Sequence, residues 1–243
     1  MKNWQERTLL MLGEEGLKKL VNAHVLIVGL GGVGAYAAEQ ICRAGVGKMT
    51  IVDGDEVETT NRNRQLPALI SNDGKPKAEI MGARFRDINP DIEVNVINEY
   101  LKDERMIEIL EADNYDYVVD AIDTLAPKTF LIYHSVQRNL PIVSSMGAGG
   151  KFDPTLIENC DISKSYNCKL ARMLRKRLYK LGVRKGVQVV FSPEEVEKER
   201  VRIEEGRNKK SAVGTISYMP PLFGCHVASV VIRNLLAEKP ELV

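Results

Sequence analysis

Between His24 and Lys77 the chain commits to one local geometry. His24-Val-Leu-Ile-Val28 is an apolar run, Gly29-Leu-Gly31-Gly32-Val-Gly34 is a glycine-rich turn, and Ala35 to Ala44 carries a helical pattern that Gly45 stops. Glycine permits backbone conformations and close approaches that a side chain forbids. A strand, a tight turn and a helix in this order therefore bring unpaired helix N–H groups and a partial positive charge up to a phosphate. The turn serves dinucleotides and nucleoside triphosphates alike, so the residues after it must separate the two.

Those residues are Asp53-Gly-Asp55 at the end of the next apolar run, then Asn61, Arg64-Gln65 and Gly74-Lys-Pro-Lys77. Asp53 stands where an acid meets a ribose hydroxyl. Asn61, Arg64 and Lys77 add polar donors and two positive charges behind it. A pyrophosphate cradled by backbone amides needs little of this, whereas a triphosphate under attack at its α-phosphorus needs charge neutralised along its length. The set favours ATP over NAD, with Gly29, Gly31, Gly32, Gly34, Asp53, Asp55, Asn61, Arg64, Gln65 and Lys77 as its binding residues.

Beyond this unit the pattern predicts a helix over Pro76–Ile88, a strand over Ile92–Ile97, a helix over Lys102–Glu111 and a strand over Tyr115–Ala121. A helix opened by Pro127 and running to Arg138 follows, then a strand over Pro141–Ser145. Alternating strands and helices specify an α/β fold: a doubly wound, mostly parallel Rossmann-like sheet with nucleotide across the strand C-termini. Residues 1–150 form the ATP-binding core of a single unit covering 1–243. Residues 151–243 form a C-terminal extension for substrate and dimer contacts, with a strand at Val187–Phe191, a charged loop from Pro193 to Ser211 expected to lack order, and a terminal helix.

The net charge of +1 selects neither nucleic acid nor membrane. Met1 to Glu15 is not a secretory leader, and the apolar stretch Met219–Leu236 is interrupted by Pro220-Pro221, His226 and Arg233, so it reads as a buried or amphipathic helix. The expected location is the cytoplasm. Cys42, Cys160, Cys168 and Cys225 make no Cys-x-x-Cys pair, so a structural zinc site is not expected. Cys168 and Cys225 are the thiols considered as nucleophiles, and the unreactive reading is preferred for both.

Local charge is another matter. From Lys164 to Lys185 there are nine lysines and arginines and no acid. At helical period Leu170, Met173, Leu174, Leu178 and Leu181 fall on one side, with Lys169, Arg172, Arg175, Lys176 and Lys180 mostly on the other. A cation-only face repels itself unless it meets an anion, so Lys164 and these five residues are candidate RNA contacts. The competing reading has acids from elsewhere in the fold neutralise them. Asp123, just beyond a buried strand at the C-terminal edge of the sheet, is a candidate site residue, with a helix N-cap as its alternative.

The order Gly29-x-Gly-Gly-x-Gly34, Asp53-x-Asp55, Asn61-x-x-Arg64-Gln65, Lys77, Asp120-x-x-Asp123 resembles the ubiquitin-activating-enzyme superfamily, the ThiF/MoeB/HesA-like proteins. Gly147-Ala-Gly-Gly-Lys-Phe-Asp-Pro154, Asp161-Ile-Ser-Lys164, Leu170-Ala-Arg172 and Val187-x-Val-Val-Phe-Ser192 are most similar to the branch acting on N6-threonylcarbamoyladenosine in tRNA. The resemblance implies ATP- and Mg²⁺-dependent activation of that carboxylate and cyclisation with loss of water. It implies catalytic roles for Arg64, Lys77 and Asp123, with Asp123 on the metal. It further implies a homodimer in which Arg7 reaches the neighbouring site, and a sulfur-relay protein as an additional partner. The rival of the same fold adenylates the C-terminal glycine of a ubiquitin-like sulfur carrier. A silent nucleotide-binding scaffold is the rival of another class, and a dehydrogenase comes last.

Overall fold

The computed structural model describes residues 3–203 and 211–237. Its main strands are β1 (His24–Val28), β2 (Lys48–Val52), β3 (Glu93–Ile97), β4 (Tyr117–Asp120), β5 (Ile142–Ser145), β6 (Glu158–Asp161) and β7 (Gln188–Phe191). They form one seven-stranded sheet in the order β3-β2-β1-β4-β5-β7-β6. Every pairing is parallel except β6 with β7. Chain order runs outward from β1 to β2 and β3, then returns to β4 on the other side. That reversal opens a crevice between the C-terminal ends of β1 and β4, the place where such sheets take ligands.

The helices are α1 (Glu6–Asn22), α2 (Gly34–Ala44), α3 (Lys77–Ile88), α4 (Asp103–Glu111), α5 (Leu125–Gln137), α6 (Lys169–Lys180) and α7 (Met219–Leu236). Successive side chains of β1 point to opposite sides, as pleating requires. Val25 and Ile27 meet Ala38 and Ile41 of α2, Phe85 of α3 and Phe223 and Val227 of α7 in one apolar cluster. Leu26 and Val28 join Met106 of α4, Leu131 of α5 and Leu174 and Leu178 of α6 in the other. Sheet-facing helices on both sides explain why β1 is buried at all five positions. The apolar length of α7 would suffice to cross a membrane, but Met219, Phe223, Val227 and Val231 are fully buried in the first cluster.

Several elements differ from the sequence expectation. α5 begins at Leu125, so Pro127 is its third residue and not its first; the lost donor there is still one of the orphan N–H groups of a first turn. β6 was not anticipated: Glu158-Asn-Cys-Asp161 is a polar edge strand with little apolar alternation, and pairing with β7 defines it. Part of the loop expected to lack order is built. Val201–Ile203 (β8) pairs antiparallel with Ser211–Val213 (β9), and residues 204–210 lie outside the described residues. Side chains and backbone hold this ribbon down. Arg200 Nη1 donates to Gly150 O, Gly150 N–H donates to Gly214 O, and Gly214 N–H donates to Arg200 O.

Candidate functional site

The crevice is walled by the glycine turn. Gly29 has φ +95°, donates its N–H to Val52 O at 2.8 Å, and leaves no room for a side chain, since a Cβ would lie 2.8 Å from Ala121 O. A Cβ on Gly34 would lie 1.8 Å from Gly29 O. Those two glycines let turn, helix and β4 close on one another. Gly31 is different: the only neighbour a Cβ would meet is Gln65 Nε2 at 3.8 Å, so its backbone stays approachable. The Gln65 Oε1 atom beside this cradle is buried and has no hydrogen-bond donor among the described residues. An open backbone and an orphaned acceptor suit a nucleotide that brings its own polar groups.

Asp53 directly follows β2 and faces the turn. Its Oδ2 accepts from Leu30 N–H at 2.5 Å and its Oδ1 from Asp55 N–H at 2.8 Å. Burial pushes its carboxyl above the usual range, against the pull of those two N–H groups. Asp55 shares its carboxylate between Lys77 Nζ at 3.0 Å and Tyr100 Oη at 2.5 Å. Lys77, at the start of α3, is 4% exposed and is anchored twice, since its N–H also donates to Asp55 O. Tyr100 was not anticipated; its phenol is pushed up to about 12 by the Asp55 carboxylate.

Asn61 is buried and accepts from Glu58 N–H at 3.2 Å, while its carbonyl takes the N–H groups of Arg64 and Gln65. This short turn fixes where the next two side chains start. Arg64 is half-buried, with Nη1 donating to Thr60 O at 2.9 Å and to Asn63 Oδ1 at 2.8 Å. The structure therefore brings Gly29, Gly31, Gly32, Gly34, Asp53 and Gln65 together around one turn. Asp55 and Lys77 join them through Asp53, and Arg64 O lies 3.5 Å from a Cβ added to Gly32.

At the end of β4 a buried ion pair underlies the crevice. Lys128 and Asp120 are both 0% exposed, with Nζ to Oδ2 at 2.8 Å. Ser144 Oγ donates to the same oxygen at 2.6 Å, Ile122 N–H to Oδ1, and Lys128 also donates to Ile122 O at 2.9 Å. Asp123, three residues on, is exposed. The N-cap of α5 is Thr124, which makes no side-chain cap bond, so Asp123 is not the cap. Lys128 was missed by the sequence reading. Its signal was a lone lysine inside the apolar run Leu125–Tyr133. Among the described residues no three His, Cys, Asp or Glu cluster as a metal site.

α6 carries its charge outward with one exception. Its inward side is Cys168, Ala171, Leu174 and Leu178; Met173 and Leu181, expected inside, are exposed. Arg175, expected outside, turns in: Nη1 donates to Ser165 O at 2.8 Å and to Ser165 Oγ, holding the turn before the helix. The apolar stripe sits about one position off the projected one, and Arg175 fills the edge because its fork reaches several acceptors at once. Lys164, Lys169, Arg172, Lys176 and Lys180 are exposed, and among the described residues no carboxylate pairs with any of them. Elsewhere Arg43, Arg62, Arg84, Arg105, Arg138 and Arg200 all have acidic partners. Of the cysteines, Cys42 is core, with its thiol pushed up to about 12 by burial, and Cys168 is buried at the head of α6. Cys225 is exposed on α7.

Arg7 is exposed in the first turn of α1. Two residues before it, Gln5 presses its amide against Gly45, at the end of α2 remote from the glycine turn. α2 has 11 residues, which is a rise of about 16 Å. Leu10 and Met11, ahead of a break in α1 at Gly13, are 81% and 83% exposed.

The ThiF family model matches residues 5–243. A tRNA threonylcarbamoyladenosine dehydratase of Bacillus subtilis (strain 168) is 40% identical over 240 residues, covering 96% of this chain and 94% of the relative. The crystal structure of the Escherichia coli tRNA N6-threonylcarbamoyladenosine dehydratase TcdA in complex with ATP superposes with a TM-score of 0.88 at 35% identity, covering 98% and 97% of the two chains; its AMP complex matches equally. The sulfur carrier protein ThiS adenylyltransferase of E. coli (strain K12) is 32% identical over 139 residues, 56% of this chain and 55% of the relative.

Proposed function

This chain belongs to the ThiF family, and from that premise we propose that it uses ATP to dehydrate N6-threonylcarbamoyladenosine in tRNA by activating its carboxylate. The observation that carries the reading is near full-length similarity to dehydratases, which includes the substrate-side half beyond residue 150. The sulfur-carrier adenylyltransferase covers 56% of the chain, and the paired cysteines expected of many such enzymes are absent from the sequence.

Hydroxide is a poor leaving group from a carboxylate, and AMP is a good one. A nucleophile in the same modification then closes a ring without diffusing, because it is tethered to the acyl carbon. In this scheme the glycine turn cradles phosphate, Asp53 meets the ribose, and Gln65 lends its unpaired oxygen to the nucleotide. Lys77 and Arg64 offset the charge that builds on the phosphates, with Asp55 orienting Lys77. Mg²⁺ supplies further neutralisation when bound. Asp123 is the carboxylate that would hold it, which fits an ion that takes one or two carboxylates and completes its shell with phosphate and water. The buried Asp120–Lys128 pair fixes the strand end from which Asp123 projects. Neither Cys168 nor Cys225 is needed.

We assign the working unit as a homodimer. The position of Arg7 at the far end of α2 from its own glycine turn supports a role in the neighbouring subunit's site, and the exposed Leu10 and Met11 supply apolar surface for the contact. A sulfur-relay protein is a further partner assigned on family resemblance alone. The location that suits a tRNA-modifying enzyme is the cytoplasm.

The uncompensated face of α6 supports tRNA contact through Lys164, Lys169, Arg172, Lys176 and Lys180. Arg175 is withdrawn from that set. The reading is tested by following nucleotide release with ATP and either threonylcarbamoyl-modified tRNA or a sulfur-carrier protein, and release is expected with the tRNA. Reversing Arg172, Lys176 and Lys180 to Glu should leave ATP binding intact and weaken tRNA binding. The slope of log affinity against log salt should flatten by about 0.7–0.9 per lost phosphate contact. Unchanged affinity and slope would reduce the face to solvated surface.

A further inference from the structure

Beside the nucleotide crevice lies a groove of about 550 Å³ lined by Phe152, Asp153, Pro154, Tyr218 and Leu222. Phe152 is 59% exposed, an unusual position for a large apolar ring whose backbone is held so firmly. Its N–H donates to the Glu194 carboxylate at 2.8 Å, its carbonyl accepts from Tyr218 Oη at 2.8 Å, and Asp153 N–H also donates to Glu194 at 2.9 Å. The preceding residue, Lys151, is buried and donates to Glu194 O. The Phe152 and Tyr218 rings stand edge to face with centroids 6.0 Å apart. Asp153 Oδ1 accepts from Thr155 N–H and Oγ1, and among the described residues no hydrogen bond is made to Oδ2.

Its position indicates what such a groove is for. Pro220, two residues beyond Tyr218, stands 2.9 Å from a Cβ built on Gly32, so the groove begins at the phosphate cradle. A fixed, exposed aromatic ring therefore stands next to the phosphate cradle, where the proposed reaction would bring the RNA substrate. Exposed aromatic platforms with polar groups at the base edge are how proteins hold unstacked bases.

We propose that this groove takes a nucleobase of the RNA substrate, stacked on Phe152 with Asp153 Oδ2 accepting from a base N–H. The proposal rests on the tRNA reading above. It is tested in the full-length enzyme with threonylcarbamoyl-modified tRNA and ATP. Phe152→Ala should raise KM for tRNA by about tenfold, the scale of one lost base stack. KM for ATP, the thermal midpoint and the sedimentation mass should stay unchanged. Phe152→Trp should restore the tRNA KM, and Phe152→Leu, equally apolar but without a π face, should not.

An unchanged tRNA KM in Phe152→Ala, or full rescue by Leu, overturns the stacking proposal while leaving the enzyme's activity in place. A drop in sedimentation mass in Phe152→Ala instead assigns the groove to a second copy of this chain. If the parent enzyme shows no tRNA-dependent nucleotide release at all, the functional reading fails and the groove loses its ligand with it.

Discussion

Asp123→Ala is expected to fold as the parent does and to lose on the order of 10³-fold in turnover at saturating ATP and tRNA, about 4 kcal/mol of transition-state stabilisation. The side chain is exposed, fills no core volume and is not the N-cap residue of α5, so its removal leaves both apolar clusters as they are. What it takes away is the carboxylate assigned to Mg²⁺ at the strand end facing the nucleotide. The thermal midpoint should move by less than about 2 °C, since exposed substitutions stay within roughly 0.5 kcal/mol. The Mg²⁺ concentration for half-maximal activity should rise. Near-normal turnover would remove Asp123 from the chemistry.

Lys128→Met should have the largest effect on stability. It leaves the Asp120 carboxylate fully buried with Ser144 Oγ and Ile122 N–H but no cation, and breaking a buried pair from one side costs about 3–5 kcal/mol. At 2–4 °C per kcal/mol in a chain of this size, the midpoint should fall by roughly 10 °C. The double variant Asp120→Asn, Lys128→Met should recover much of the loss, because neither charge is then stranded. Urea unfolding of the parent and the two variants measures this directly. If the single variant is as stable as the parent, the pair is not what sets the end of β4.

How much of this could be read beforehand depended on what each residue's neighbours were. The glycine turn was legible because the constraint is local: Gly29 and Gly34 clash with backbone the moment a Cβ is added, so the residue type reports the geometry. β1 and β4 announced themselves as apolar runs because both faces of the sheet are covered. β6 and the β8–β9 ribbon did not, because β6 is polar, β8 and β9 have only three residues each, and it is their pairing that makes them strands. Arg175 looked like its exposed neighbours until the turn at Ser165 came round to meet it. Lys128 was concealed in the same way, since the distance from Asp120 in sequence gives no hint that both end in the core. The roles of Asp55 and Tyr100 are equally non-local, because the end of β3 delivers the tyrosine onto the end of β2.

The central claim is that nucleotide takes an oxygen from the substrate carboxylate. The direct measurement is to label the threonylcarbamoyl carboxylate of the tRNA with ¹⁸O, run the reaction with ATP and Mg²⁺, and weigh the nucleotide products and the nucleoside by mass spectrometry. Attack of the carboxylate on the α-phosphorus joins one labelled oxygen to AMP. Ring closure then expels AMP with that oxygen and leaves the other in the product carbonyl. The account predicts one ¹⁸O in AMP and a nucleoside lighter by one labelled water. Dehydration with both labels retained in the nucleoside, or with unlabelled AMP and the oxygen released to solvent, would contradict it.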